Sequence, residues 1–234
     1  MNVSILIPVY NKEFAISKVL DALLPQVLNN DEIIVLNDGS EDKSSEILKQ
    51  YESKIIIIER SRKAEEKNYF RIASGRNYLV AHARNEHLIF LSGDCIPRPD
   101  FVKLHRENME KVEPKTIIRG IVNPGAPFIE GYSDQWINFI TGNVSIFKKD
   151  FIIVGGLDDM YDGGWGYEDS DFGLRAVLKY GYKLYCINAI IDHIDHQRVD
   201  QVGENNHILF NLKKMKITKP SNWVDILRQK AMGA

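Results

Sequence analysis

Three acidic clusters and a histidine pair stand out in the 234-residue chain as groups that could do chemistry. Asp38 follows an apolar run, in Asn37-Asp38-Gly39-Ser40. An Asp at a strand end, followed by Gly, can aim its carboxylate at a uracil imide or a ribose hydroxyl; the same residues also form an Asx turn that satisfies its own backbone. Asp94 closes Phe90-Leu91-Ser92-Gly93-Asp94, where Gly93 leaves room for a divalent cation and phosphate oxygens. Mg²⁺ and Mn²⁺ want oxygen ligands and commonly take one or two carboxylates plus substrate phosphates; a turn aspartate is the alternative. Glu168-Asp169-Ser170-Asp171 places acids at an expected helix start, where the helix dipole alone would favour them. The preceding Gly163-Gly164-Trp165-Gly166-Tyr167 argues for more, because glycines around a tryptophan cost backbone entropy and need a reason. Trp165 and Tyr167 suit stacking on sugar rings, and a carboxylate beside them could be a general base. His193 and His196, three apart and interleaved with Asp192 and Asp195, are imidazoles suited to Mn²⁺ and other transition ions, or structural or exposed histidines.

These residues need a scaffold, and the apolar pattern supplies one. Short apolar runs at Val3 to Val9, Ile33 to Leu36, Ile55 to Ile58 and Leu88 to Leu91 read as strands. Between them lie a helical period over Ile16, Val19, Leu20, Leu23, Leu24 and Val27, a helix from an N-cap at Ser40 to about Tyr51, and one from Ser74 to about Asn85. Strand–helix alternation with continuous apolar strands implies an α/β fold whose mostly parallel sheet has helices on both faces. Ligands bind such sheets beyond the carboxyl ends of the strands, which is where Asp38 and Asp94 fall. The second half is less regular. It reads as helix over Phe101 to Val112, strands at Thr116 to Val122 and Val144 to Phe147, helix from Glu168 to Tyr180 and strand from Lys183 to Ile187, with the histidines after it. The glycine-rich stretch from Asp158 to Trp165 reads as a lid.

Composition excludes several function classes. Lys and Arg total 30 against 32 for Asp and Glu, so there is no basic excess for tracking nucleic acid. Two isolated cysteines, Cys95 and Cys186, make neither a disulfide framework nor a Cys-based zinc site, and point to a reducing, cytoplasmic compartment. The N-terminus lacks a basic n-region, and no apolar stretch approaches the roughly 18 to 20 residues needed to span a bilayer. A Rossmann dehydrogenase would need GxGxxG, and a sugar nucleotidyltransferase a Gly-rich loop with Lys where Pro8-Val9-Tyr10-Asn11 stands. The segment 211–234 is basic, and Trp223, Val224, Ile226 and Leu227 could give it an apolar face. It fits a peripheral contact with the inner membrane face, or a helix packed on the domain with its lysines in water.

Six segments, in order, carry a resemblance: Ile5-Leu6-Ile7-Pro8-Val9-Tyr10-Asn11, Val35-Leu36-Asn37-Asp38-Gly39-Ser40, Ser74-Gly75-Arg76-Asn77, Thr141-Gly142-Asn143-Val144-Ser145, Gly155 to Asp158 together with Gly164 to Asp171, and His193 to Arg198. The chain resembles a family 2 glycosyltransferase of the GT-A fold, with a second half similar to the β-1,4-galactosyltransferase C-terminal region. The resemblance implies one domain over 1–210, with a nucleotide-sugar-binding half (1–98) and an acceptor and catalytic half (99–210). It makes Asp169 the general base of an inverting reaction. Donor contacts fall on Pro8, Tyr10, Asn11, Asp38, Arg71, Asn77, Ser92 and Asp94, and acceptor contacts on Gly142, Asn143, Trp165, Tyr167 and Glu168. Asp94, His196 and His193 become ligands of Mn²⁺ or Mg²⁺. The partners it implies are a UDP-sugar donor and a saccharide or lipid-linked saccharide acceptor. The chain departs from the pattern at Ser92, where the first acid of a DxD motif is replaced. That departure motivates the rival expectation, a non-catalytic sugar-nucleotide or glycan-binding module.

Overall fold

The computed structural model describes residues 1–66, 69–125, 130–133, 139–195 and 204–218. Strand β1 (Val3–Val9), helix α1 (Ile16–Leu23), β2 (Glu32–Asn37), α2 (Ser44–Lys49), β3 (Ile56–Glu59), α3 (Ile72–His82) and β4 (His87–Leu91) form the first half. The second half holds β5 (Cys95–Pro97), α4 (Phe101–Lys111), β6 (Thr116–Asn123), β7 (Gly131–Ser133), β8 (Asn143–Phe147), α5 (Lys148–Val154), α6 (Glu168–Leu174), β9 (Lys183–His193) and α7 (Glu204–Thr218). One sheet collects the strands in the order β3-β2-β1-β4-β8-β6-β9-β5, with β7 on β9. Strands β1, β2, β3, β4, β6 and β9 run one way, while β5, β7 and β8 run the other.

The apolar runs become strands because both sheet faces are covered. Along β1, Ile5, Ile7 and Val9 enter one core with Ile16, Val19, Leu20 and Leu23 of α1, while Leu6 enters the other with Leu36, Leu79 and Phe90. The four α1 positions sit at helical spacing on one stripe, and burying each is worth about 1.5–3 kcal/mol. Helix α4 packs on the same face as α1, and α3, α5 and α6 cover the opposite one.

Four features differ from the sequence reading. Helix α2 begins at Ser44, not Ser40. Ser40 Oγ instead accepts the Asn11 amide at 3.0 Å, and Asp42 accepts the amides of Glu13 and Ser44 at 2.9 Å each. The residues before α2 thus tie down the loop after β1. Strand β9 continues past Ile187 to His193, supported by β6 on one side and β5 on the other, with Cys95 opposite His193. Strands β5 and β7 and helix α5, seven residues or shorter, were not expected. The segment from Asp158 to Trp165 is a pinned wall rather than a lid. Asp158 pairs with Lys213 at 2.5 Å, Tyr161 is buried, Asp162 accepts the Ala73 amide at 2.9 Å, and the Gly163 amide donates to the Phe70 carbonyl at 2.8 Å.

Candidate active site

The residues singled out from sequence gather along one edge of the sheet, at the carboxyl ends of β1, β2, β4 and β9 and the start of β8. On the outer side, Asp38 follows β2 and its amide donates to the Val9 carbonyl at 2.8 Å. Its buried carboxylate meets three guanidinium groups. Arg60 donates to it, Arg62 sits at 2.7 Å, and Arg71 donates through Nη2 at 2.7 Å and Nε at 3.1 Å. The Arg62 guanidinium lies 3.7 Å from the centre of the Tyr10 ring. Asn11 takes a left-handed backbone at φ 52° and accepts the Glu41 amide at 2.8 Å, locking the β1 and β2 loops together.

At the centre, Gly93 turns the chain after β4. A Cβ there would stand 2.9 Å from the Pro8 carbonyl oxygen, so glycine lets this turn press against β1 and brings Asp94 beside the Tyr10-Asn11-Lys12 loop. Lys12 Nζ lies 2.6 Å from Asp94 Oδ2, and His193 Nε2 lies 3.9 Å from the same oxygen. One carboxylate and one imidazole so placed, with phosphate oxygens to complete the shell, suit Mn²⁺ or Mg²⁺. Among the described residues, no three His, Cys, Asp or Glu side chains form a metal cluster by themselves. His196 lies outside the described residues.

On the inner side, Thr141 Oγ1 donates to Asp169 Oδ1 at 2.5 Å. The next residue, Gly142, accepts the Ser92 amide through its carbonyl at 3.2 Å. Thr141-Gly142 therefore bridges the Asp169 carboxylate to the turn that carries Asp94. Arg76 on α3 is a second link. Its guanidinium is 3.7 Å from Glu168 and buried, with Nε and Nη1 lacking a hydrogen-bond partner among the described residues. Burial, then the neighbouring Asp169 charge, pushes the Glu168 carboxyl up to about 7, against the pull of Arg76. Trp165 stands exposed at the rim. Tyr69 packs over Gly163, where a Cβ would come within 2.8 Å of its ring.

Residues 4–172 match the family described as Glycosyl transferase family 2. The chain belongs to that family. Among curated proteins, this family 2 domain is 22% identical over 211 residues to glycosyltransferase GlyA of Streptococcus pneumoniae, covering 82% of this chain and 29% of that protein. It is 33% identical over 135 residues to the poly(ribitol-phosphate) beta-glucosyltransferase of Bacillus spizizenii, covering 54% of this chain and 20% of that one. It therefore spans about a third or less of these two relatives. Among solved structures, TarS 1-349 of S. aureus in complex with UDP-GlcNAc superposes with a TM-score of 0.73 at 16% identity, covering 94% of this chain and 68% of that one. The mannosyltransferase PcManGT of Pyrobaculum calidifontis in complex with GDP-Man and Mn²⁺ gives a TM-score of 0.64 at 15% identity, covering 84% and 58%. At such identities the likeness concerns the fold, which is GT-A.

Among the described residues, the expected site residues divide into two groups, with exposed Trp165 apart at the rim. Pro8, Tyr10, Asn11, Asp38, Arg71, Ser92, Asp94, Gly142, Glu168, Asp169 and His193 share the edge just described. Asn77, Asn143 and Tyr167 are engaged in the walls. Asn77 donates to the Leu157 carbonyl at 2.7 Å and to Asp159 at 2.8 Å. Asn143 donates to the Ile121 and Ala189 carbonyls at 2.9 Å each, and its Oδ1 meets buried His105 at 2.8 Å. Burial holds the His105 imidazole down, to about 4, so it is neutral there. Tyr167 places its hydroxyl 2.7 Å from His207 and stacks on Phe210. The structure adds Lys12, Arg60, Arg62, Tyr69, Arg76 and Thr141 to the edge. Arg76 carried a legible signal, since Ala73, Arg76 and Val80 fall on one buried stripe of α3.

Proposed function

We propose that this domain transfers a hexose or N-acetylhexosamine, galactose or N-acetylgalactosamine foremost, from a UDP-sugar to a hydroxyl of a saccharide acceptor with inversion, in surface polysaccharide or glycoconjugate synthesis. The observation that carries this reading is the continuity of the edge. Asp94 and His193 meet at 3.9 Å, and Thr141-Gly142 joins their turn to Asp169. The solved neighbour with UDP-GlcNAc and the Bacillus glucosyltransferase support a nucleotide-sugar donor and a polymer acceptor. The galactose preference rests on the likeness of Gly164 to Asp171 to the galactosyltransferase pattern.

In this reading Asp38 and Tyr10 receive the uridine, with Pro8, Asn11 and Ser92 shaping the pocket and Arg71 facing the diphosphate. Asp94 and His193, with His196 as a further ligand, would hold a divalent cation, which would supply Lewis-acid stabilisation to the departing diphosphate. The buried Arg76 guanidinium, 3.7 Å from Glu168, offsets the charge of the acidic pair beside the base. Thr141 holds Asp169 Oδ1, which leaves Oδ2 to take the acceptor hydroxyl's proton as the new bond forms. A single displacement needs only one such base and no covalent nucleophile. Gly142 and Trp165 border the acceptor's approach, with Glu168 behind Asp169 and Asn143 and Tyr167 bracing the walls. No helix among the described residues is long and apolar enough to cross a membrane. Residues 219–234, with Trp223, lie outside the described residues, and a cytoplasmic domain touching the membrane through that segment would reach lipid-linked acceptors.

A UDP-release assay over UDP-galactose, UDP-GalNAc, UDP-GlcNAc and UDP-glucose, with Mn²⁺ and a panel of saccharide acceptors, tests the reading. Acceptor-stimulated release with one donor, lost in EDTA and restored by Mn²⁺, is expected. Tight UDP binding with no release from any donor would favour the binding-module reading that Ser92 motivates.

A further inference from the structure

Among the described residues, Lys12 places a cationic side chain where a metal ion on Asp94 would sit. Its ammonium lies 2.6 Å from Asp94 Oδ2, the oxygen that His193 approaches to 3.9 Å, and the two side chains of the pair are only 22% and 13% exposed. An ammonium and a divalent cation cannot share that oxygen without strong like-charge repulsion. With Ser92 in place of a second acid, Asp94 is the only carboxylate on the Ser92-Gly93-Asp94 turn, and the Lys12–Asp94 pair already cancels its charge. The root of Lys12 is fixed, because its amide donates to Ser44 Oγ at 2.8 Å. Its four-carbon stem is not fixed, and an ammonium is a compact donor well matched to phosphate oxygens.

We propose that Lys12 occupies the cation position on Asp94 and gives it up only when a nucleotide diphosphate arrives to take the ammonium, which makes cation binding at Asp94 conditional on the nucleotide. The proposal rests on the donor-site reading above. Linkage makes the coupling reciprocal, so a bound cation strengthens nucleotide binding by the factor by which the nucleotide strengthens cation binding. Lys12 itself weakens cation binding to the empty site, and its ammonium adds a contact to the diphosphate when no cation is bound.

The test measures binding rather than turnover. Mn²⁺ affinity is read from the electron paramagnetic resonance of free Mn²⁺, with and without UDP, and UDP affinity in EDTA by calorimetry. The full chain is used as wild type, Lys12→Gln, Lys12→Met and Lys12→Arg. Both neutral variants should bind Mn²⁺ alone about tenfold more tightly, within the usual range of coupling energies, and bind UDP in EDTA about fivefold more weakly. Lys12→Arg, which keeps the charge, should resemble wild type. Unchanged Mn²⁺ affinity in both neutral variants, with UDP still bound, overturns the inference and leaves the donor site standing. Absence of UDP binding in the wild type, with or without Mn²⁺, overturns the donor-site reading and the inference with it. A wild-type Mn²⁺ affinity indifferent to Asp94→Asn places the cation elsewhere and also overturns it.

Discussion

The two flanks of the edge handle charge in opposite ways. Around Asp38, one buried carboxylate meets the guanidinium groups of Arg60, Arg62 and Arg71. Around Glu168 and Asp169, two adjacent carboxyls face a single guanidinium, Arg76, at 3.7 Å from the buried one. The first flank gathers three cations on one carboxylate, as a site for an anionic nucleotide should. The second keeps like charges together at the cost of a displaced proton equilibrium, and displaced equilibria mark sites of acid–base chemistry. In the proposed reading, donor binding and acid–base chemistry thus occupy different electrostatic environments along one edge of the sheet.

The largest effect should follow from breaking the paired flank. Asp38→Asn leaves three guanidinium groups around a neutral amide, and removing one partner of a buried ion pair typically costs about 3–5 kcal/mol. Urea unfolding should show that loss, together with weakened UDP binding; a variant as stable as wild type would mean that the arginines are balanced by solvent. Asp169→Asn should do the reverse, keeping the fold and UDP affinity while acceptor-dependent turnover falls by at least about two orders of magnitude. Near-normal turnover would remove Asp169 from the role of base and move attention to Glu168.

The Glu168 carboxyl sharpens the contrast through pH. Burial and the Asp169 charge raise it to about 7 from an ordinary 4.5. A raised carboxyl favours the folded state while protonated, so its contribution is complete below about pH 4.5 and is lost as pH climbs through 7. Glu168→Gln should therefore gain stability relative to wild type between pH 5 and pH 8, by on the order of 2 kcal/mol. Parallel unfolding curves for the two proteins across that range would show that Arg76 fully compensates the charge.

The same two flanks differ in how far the sequence discloses them. The paired flank hangs on β1, β2 and β4, whose continuous apolar runs follow directly from burial on both faces, and on the more exposed edge strand β3, and its acids fall where parallel strands end. Its arginines were harder to see. Of the three around Asp38 only Arg71 was expected, through the family resemblance, because pairings that span 22, 24 and 33 positions leave no local pattern. The other flank depends on long-range pairing throughout. Strand β9 reaches His193 only because β6 and β5 brace it, across a register shift between Arg119 and Ile121. The Asp158–Trp165 stretch looked loose because of its Gly163-Gly164 pair, yet a backbone amide of α3 and the Lys213 side chain of α7 pin it. Glu168 and Asp169 were legible as chemistry and Arg76 as a member of the buried α3 stripe, whereas Thr141, which holds Asp169, gained its role only in the fold.

Tyr167 offers the smallest effect and a clean way to separate wall from site. Its hydroxyl meets His207 Nδ1 at 2.7 Å, its ring stacks on Phe210 with centroids 5.3 Å apart, and its backbone sits at φ 75°. These contacts brace α6 against α7 behind the acidic pair. Tyr167→Phe keeps the ring and removes one partly exposed hydrogen bond, which should cost at most about 1 kcal/mol of stability. If the residue is purely a brace, KM for the acceptor stays put while the melting temperature drops slightly. If instead the hydroxyl leaves His207 to meet the acceptor during turnover, KM for the acceptor rises with stability unchanged, and the aromatic platform inferred from Trp165 and Tyr167 regains its second member.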